Sequence, residues 1–530
     1  MTNHSNRDKR TLSRREFLRL TAVATAGSLA MGTDIITGLT GNPAAGGLTE
    51  NHPERPASLA SPQAYKEAPM LAALVQQGRL PPVEERLPTT PCVIPVLHQT
   101  GKYDSVMNRA FKGLSDRWGP TKMINHQFVW YDKDLNLIPH LCESWNVNAD
   151  ASEWTFYLRA GTHWSDGVAF TADDIVWWYH NVLTDPRIFS VPPSQWMAGD
   201  QVMTIEQKGQ YTIKMKFNQP NVLFMYKLAR GSGAGFCLCP SHYMKRYHID
   251  FTDDPAALEA EAAAAGFASW GEYYRGDRSE WYLNPDLPDL GPWLAKNTLY
   301  QPLFVMERNP YFYGVDADDN QLPYVDTITH NLFSADDDLT TWIKNGVIDF
   351  QARHTNFAYY DEYKEGEATG GYQVVLGVSA GHVAIQLNMT TLSSARLREF
   401  FQDLRVRRAL SLAVNRTYLN TQFYAGLATP RQYSPLSTSP QYNATLSGTD
   451  IAYDVAEANA LLDDAGYTAK DGEGFRLWKD GSGERISFTI EGTAEPGSAD
   501  GQAALQVIHD YATVGIEATY QKTDLSLIHI

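Results

Sequence analysis

The sequence predicts an α/β protein of at least two domains, and three observations carry that reading. Its 530 residues exceed what a single hydrophobic core ordinarily serves. Segments of period two and segments of period 3.6 both occur along its length. Between Glu153 and Leu183 a strand, a reversing turn and a capped helix follow one another without a gap.

From the N-terminus, Ser13–Arg19 reads SRREFLR. Paired Arg14 and Arg15, then Phe17, Leu18 and a mild apolar run to Met31, resemble a twin-arginine export signal. Residues 1–45 are expected to be that signal, with Ala44 and Ala45 near the cleavage point. Residues 46–69, rich in Pro, Ala, Ser and Glu, are expected to be a flexible linker. No Cys precedes Cys92 to accept a lipid, and the apolar run is too short for a spanning helix.

Leu71 and Leu74, with Gly78 as a stop, predict a short amphipathic helix over Met70–Gly78. PCVIPVLHQ and MINHQFVWYD are expected to be strands. In Glu153–Arg159, Trp154, Phe156 and Leu158 alternate with Thr155, Tyr157 and Arg159, which predicts a strand with one wet face. Ser165, Asp166 and Gly167 supply a turn, and Thr171 with Asp174 supplies a shortened capping box for a helix burying Ile175, Trp178, Tyr179 and Val182. Tyr211–Asn218 alternates as a strand, Gly231–Pro240 leads toward another that would carry Cys237 and Cys239, and Ala256–Ala265 is a surface helix.

Further on, a helix ends near Gly346 and a strand is expected around VIDF, Val347–Phe350. HVAIQLN, His382–Asn388, alternates like another strand. Asp403 opens a helix with Val406, Ala409, Leu410, Ala413 and Val414 inward, leaving Arg405, Arg407 and Arg408 on its solvated side. Asp454–Gly466 reads as a helix with Asp454 as cap, Glu457 closing a capping box, and Gly466 as stop.

Pro139, the ESW triplet, WTFYLRAGTHWSDG and FTADDIVWW occur in an order that resembles the signature region of the family 5 solute-binding proteins, the receptors of ABC importers. GPW at Gly291, ERNPYFYG, LPYVDTITHNLF, RVRRALSLAVNR and DVAEANALLDDAG extend the resemblance from about Leu137 to Gln521. It implies a two-lobed periplasmic-binding-protein fold of type II, large and cluster C-like, with mixed sheets flanked by helices. Lobe one would span 70–333 with a small inserted subdomain at about 131–225, and lobe two 334–524. The chain then stops where the family pattern continues, so lobe two is expected to be incomplete and LSLIHI, 525–530, to be a non-native tail.

Composition narrows the function. Acidic residues outnumber Lys plus Arg by 61 to 44, for a net charge of −17. That balance disfavours binding to a phosphate backbone, so no nucleic-acid partner is expected. Cys92, Cys142, Cys237 and Cys239 form no disulfide framework or zinc-type spacing and read as buried small residues. Gly377–Gly381 is a GxSxG string beside His382, yet a strand-like segment follows it where a nucleophile elbow needs a helix. Asp316, Asp318 and Asn320 imitate a calcium loop, but Gln321 replaces the required Gly and Thr327 the required Glu, leaving a solvated turn. His242 and His248 are six apart and share no helical face. No catalytic constellation, metal site or cofactor is expected.

The resemblance implies a monomeric receptor, exported by the twin-arginine translocase to the periplasm or outer envelope face. It would close two lobes on a solute, a peptide first of all, and deliver it to a permease. An oligosaccharide or a nickel chelate is the alternative within the family, and a secreted hydrolase with an aromatic cleft is the alternative outside it. Position matching nominates Arg117, Trp118, Asn125, Gly233, Cys237, Arg353, His354, His382 and Gln386 as ligand contacts. Neutral Gln386 stands where relatives can offer a carboxylate, which weakens the case for a cationic ligand group there.

Overall fold

The computed structural model describes residues 65–124, 127–132, 134, 136–229, 235–377, 383–439 and 441–523. It divides the chain into two compact units, one running to Leu339 and including Val347–Arg353, the other holding Thr340–Gly346 and the chain from His354 onward.

Unit one contains two four-stranded sheets. In the first, strands run in the order Trp293–Ala295, Leu303–Arg308, Thr327–Leu332 and Val106–Phe111. The last pair is parallel and the others antiparallel, so the sheet is mixed. The second sheet, Cys142–Val147, Glu153–Leu158, Thr212–Lys216 and Thr204–Gly209, is antiparallel throughout. Its expected alternation is present: Trp154, Phe156 and Leu158 are buried while Glu153, Thr155 and Tyr157 are half-buried. Arg159 departs from the expected wet face. It is 6% exposed, with its guanidinium donating to the carbonyls of His140 (2.7 Å) and Thr90 (2.9 Å). Two carbonyls that need a donor override the period-two pattern at the strand end.

At the turn, Asp166 accepts from the N–H of Val168, and Gly167 holds φ +89°, a conformation that a Cβ disfavours. Thr171 and Asp174 form the capping box of Ala172–Trp178, with Asp173 and Asp174 in the first turn, where negative charge meets the helix dipole. Ile175 and Trp178 are buried, the helix running on through a π-type turn, Tyr179–Leu183. The helices Pro69–Gln76 and Pro255–Ala264 stand where expected. PCVIPVLHQ contributes only a two-residue strand, Cys92–Val93, and MINHQFVWYD only Val129–Tyr131. Cys237 lies on a 3-10 turn, Gly235–Leu238, rather than on a strand, and all four cysteines are free and buried. The turn at Asp316 is solvated at its tip, where Ala317 and Asp318 are exposed, but Asp316 itself is 1% exposed and accepts from the N–H groups of Asp318 and Asn320 and from the Tyr324 hydroxyl.

VIDF forms no strand. It lies beside Val106–Phe111, where the N–H of Asp349 donates to Asn108 O, but the Asp349 carboxylate takes the N–H of Asn108 and the Gln351 amide takes Ala110. Side chains thus replace the backbone partners that a ladder would use.

Unit two packs Ala395–Gln402, Leu404–Leu412, Val455–Asp464 and Ala499–Thr513 around a parallel pair, Ser487–Gly492 with Glu517–Lys522. Phe400, Val406, Ala409, Leu410, Leu462 and Tyr511 are in its core. Asp454 caps its helix by accepting from the N–H of Glu457, but the box stays open because the N–H of Asp454 already donates to Leu412 O. Arg405 and Arg408 on the outer face pair with Asp403 and Asp450. Val383–Asn388 is in no described ladder, although Ile385 and Leu387 pack against the core of unit two.

Candidate functional site

In unit one, the parallel strand Val106–Phe111 delivers the chain into a short turn, Leu114–Asp116, and then into Trp118–Thr121. Asp116 is 3% exposed, and its carboxylate accepts from Arg353 Nε at 2.6 Å and from the N–H of Lys112 at 3.1 Å. Arg353, one of the nominated contacts, is therefore committed to a buried carboxylate. Beneath it, Arg109 donates to Phe350 O and Gly119 O and lies 3.5 Å from His330 Nε2. Burial and the Arg109 charge pull His330 down to about 3, so the imidazole is neutral.

Above this base, the Arg117 guanidinium lies 5.1 Å from the centre of the Trp118 ring. Trp118 is 49% exposed. Glu280 feels the charge of Arg117. Burial pushes its carboxyl up, against the hydrogen bond to Tyr282 and the charge of Arg117 that pull it down. Sequence matching nominated Arg117 and Trp118 and missed Glu280, which lies far along the chain in an irregular segment with no periodic or motif signal.

Of the other nominated residues, one lies in unit one, two in unit two and three outside the described residues. Cys237 is 2% exposed within the core of unit one, and burial pushes its thiol well up. His354 begins the chain's run in unit two and holds φ +63°. Gln386 is exposed in unit two. Asn125, Gly233 and His382, the Ser379 of the GxSxG string, the export-signal residues Arg14, Arg15, Phe17 and Leu18, and 525–530 lie outside the described residues.

Asp185, His248 and Asp250 are grouped closely enough to hold a metal ion. Their chemistry does not favour one, because the Arg187 guanidinium already bridges both carboxylates. His248 faces Asn181 O through Nε2 and accepts from the N–H of Asp250 at Nδ1, so neither ring nitrogen offers a lone pair.

Comparison with known proteins identifies the family. The model of the bacterial extracellular solute-binding proteins, family 5 Middle, matches residues 136–527. A periplasmic alpha-galactoside-binding protein of Rhizobium meliloti is 26% identical over 474 residues, covering 83% of this chain and 63% of that protein. The oligopeptide-binding protein AppA of Bacillus subtilis is 24% identical over 405 residues, covering 75% and 63%. The chain thus spans less than two thirds of these relatives. Among solved structures, an oligopeptide-binding protein OppA is 32% identical with a TM-score of 0.70, covering 88% of this chain and 72% of that one. The MelB protein of Agrobacterium fabrum C58, solved with stachyose, has a TM-score of 0.59 at 20% identity over the same shares and speaks to fold alone. The fold is that of the type II periplasmic-binding proteins, and the chain belongs to family 5 of the bacterial extracellular solute-binding proteins.

Proposed function

We propose that this protein captures a solute outside the cytoplasm by closing two lobes on it and hands it, unaltered, to the permease of an ABC importer. The observation that carries the reading is the family match over residues 136–527. A ligand that binds the closed state better shifts the population toward it, and the closed state is what a permease would recognise. The lobes of this proposal are 70–333, with an inserted subdomain at about 131–225, and 334–524. Export follows the twin-arginine route, and the working form is a monomer without catalytic activity.

Peptide is the first cargo of the proposal, supported by the 32% identity to an oligopeptide-binding protein. An oligosaccharide is the second, supported by the galactoside-binding relative and by the exposed indole of Trp118. A nickel chelate draws no support from the Asp185 cluster, which Arg187 fills. Mass spectrometry of ligand released from the natively exported protein tests the reading, with a peptide or a sugar expected at near-stoichiometric amount. Turnover of peptides or oligosaccharides by the purified protein would replace it with the hydrolase alternative.

A further inference from the structure

We infer that unit one has to fold before the chain meets an oxidising compartment, because its core is built on thiols that must stay unjoined. This deepens the export reading above and rests on it.

The four cysteines of the chain, Cys92, Cys142, Cys237 and Cys239, all lie in unit one, and each is free and no more than 4% exposed. All belong to one hydrophobic core, shared with Phe128, Phe156 and Tyr313. They enter it from separate elements. Cys92 is on a strand beside Gly314, Cys142 on a strand beside Leu158, and Cys237 on the 3-10 turn Gly235–Leu238 with Cys239 just after it. Cys239 Sγ meets the Tyr274 hydroxyl at 3.4 Å. The native core thus uses each cysteine as a separate small side chain. A disulfide would instead draw two sulfurs to about 2 Å and fix the separation of their backbones, so a bridge made early has to be broken before this core can close.

Whether a bridge forms depends on the order of events. In an unfolded chain a thiol titrates near about 8.5, leaving a few per cent as thiolate at neutral pH. One thiolate attacks the disulfide of a protein oxidant and forms a mixed disulfide. A second thiolate then displaces the oxidant, which leaves as the dithiol carrying the two electrons. Folding closes that route twice. It takes the sulfurs out of reach of a protein-sized reagent, and burial pushes Cys142 and Cys239 up to about 12 and Cys237 well above its usual range. The thiolate fraction then falls by roughly a thousandfold or more. Cys92 rises too, burial outweighing the Arg159 guanidinium beside it. A chain delivered folded therefore carries inert thiols, whereas one delivered unfolded offers reactive thiols to the oxidant before the core exists. Unit two has no cysteine, so the damage falls on unit one alone.

The test exports the full chain into an oxidising periplasm from its own leader and from a general secretory leader, which threads the chain unfolded. Acid quenching, then alkylation of the denatured protein with a maleimide-linked polyethylene glycol, counts the free thiols. With its own leader the protein is expected to show all four thiols free. With the secretory leader, bridged species are expected to dominate and recovery of folded protein to fall by about fivefold or more. Replacing the cysteines together, by Cys92→Ala, Cys142→Ala, Cys237→Ala and Cys239→Ala, is expected to restore that recovery. Growth without the periplasmic oxidant is expected to do the same with the parent sequence, which keeps the test decisive if the alanine variant does not fold. Free thiols and an unchanged melting temperature from the secretory leader would overturn the inference. So would loss of that protein with its thiols still unpaired, or bridges in the protein exported from its own leader. Arg14→Lys with Arg15→Lys separates the two claims: unchanged export would sink the twin-arginine reading, while the secretory-leader comparison still decides the thiols.

Discussion

Arg86 is fully buried, and its guanidinium donates to Pro81 O, Pro310 O, Gln321 Oε1 and Glu67. It fastens the segment around Tyr65–Leu87 to the Pro310–Gln321 loop of unit one. Arg86→Met would take the donor from Pro81 O, Gln321 Oε1 and Glu67, while Pro310 O keeps the Gln321 amide, at a cost of about 3 kcal/mol. Urea denaturation followed by a unit-one Trp signal checks it, and an unchanged midpoint would mean that the clamp contributes nothing. His330 makes a pH prediction. Its folded value is about 3, whereas an unfolded histidine protonates near 6.5. Between those values the unfolded state binds the extra proton, so stability falls as pH drops through that window, by about 1.4 kcal/mol per pH unit. His330→Gln is expected to remove one proton's share of that slope between pH 4 and 6. A slope equal to the parent's would place the titration elsewhere.

Among the elements, the helix Ala172–Trp178 separates a local role from a tertiary one. Thr171 serves only the capping box, and Thr171→Ala is expected to cost about 1 kcal/mol. Asp174 closes the same box and also accepts from the N–H and hydroxyl of Ser241 and from Trp164 Nε1. Asp174→Ala is therefore expected to cost about 3 kcal/mol, since it leaves several buried donors unmet. Thermal melts of the two variants check the ranking, and equal losses would sink it. The contrast marks how much of the element was legible. The spacing of Thr171 to Asp174 is a local pattern that reads directly, whereas the partnership with Ser241 exists only once Ser241–Met244 has packed against this helix. The segment VIDF shows the reverse case. Its apolar residues read as a strand, but Asp349 and Gln351 intercept the neighbouring backbone groups, which no periodicity reports.

Over the whole molecule, each unit has its own core, with Phe156 and Phe304 in one and Phe400 and Leu410 in the other. A cargo that binds the native protein and not the unfolded chain should stabilise it by about 2.7 kcal/mol at a hundredfold excess over Kd. Scanning calorimetry of the exported protein with its released ligand should then show a rise of several degrees. No rise at saturating ligand would argue against a ligand-binding role. The net charge of −17 keeps such a receptor soluble without specifying its ligand.

The sequence by itself determined what depends on near neighbours. The strand of Trp154, Phe156 and Leu158, the turn at Gly167, the capped helices at Thr171, Asp403 and Asp454, and the family resemblance all rest on residues a few positions apart, where backbone geometry sets which side chains share a face. Only the tertiary structure decided the candidate site. Asp116 and Arg353 are separated by 237 positions. Arg159 is drawn inside by two carbonyls from elsewhere in the fold. Hydrogen bonding and desolvation act through space, so the pairing of these groups and the exposure of Trp118 emerge only when distant segments are packed side by side.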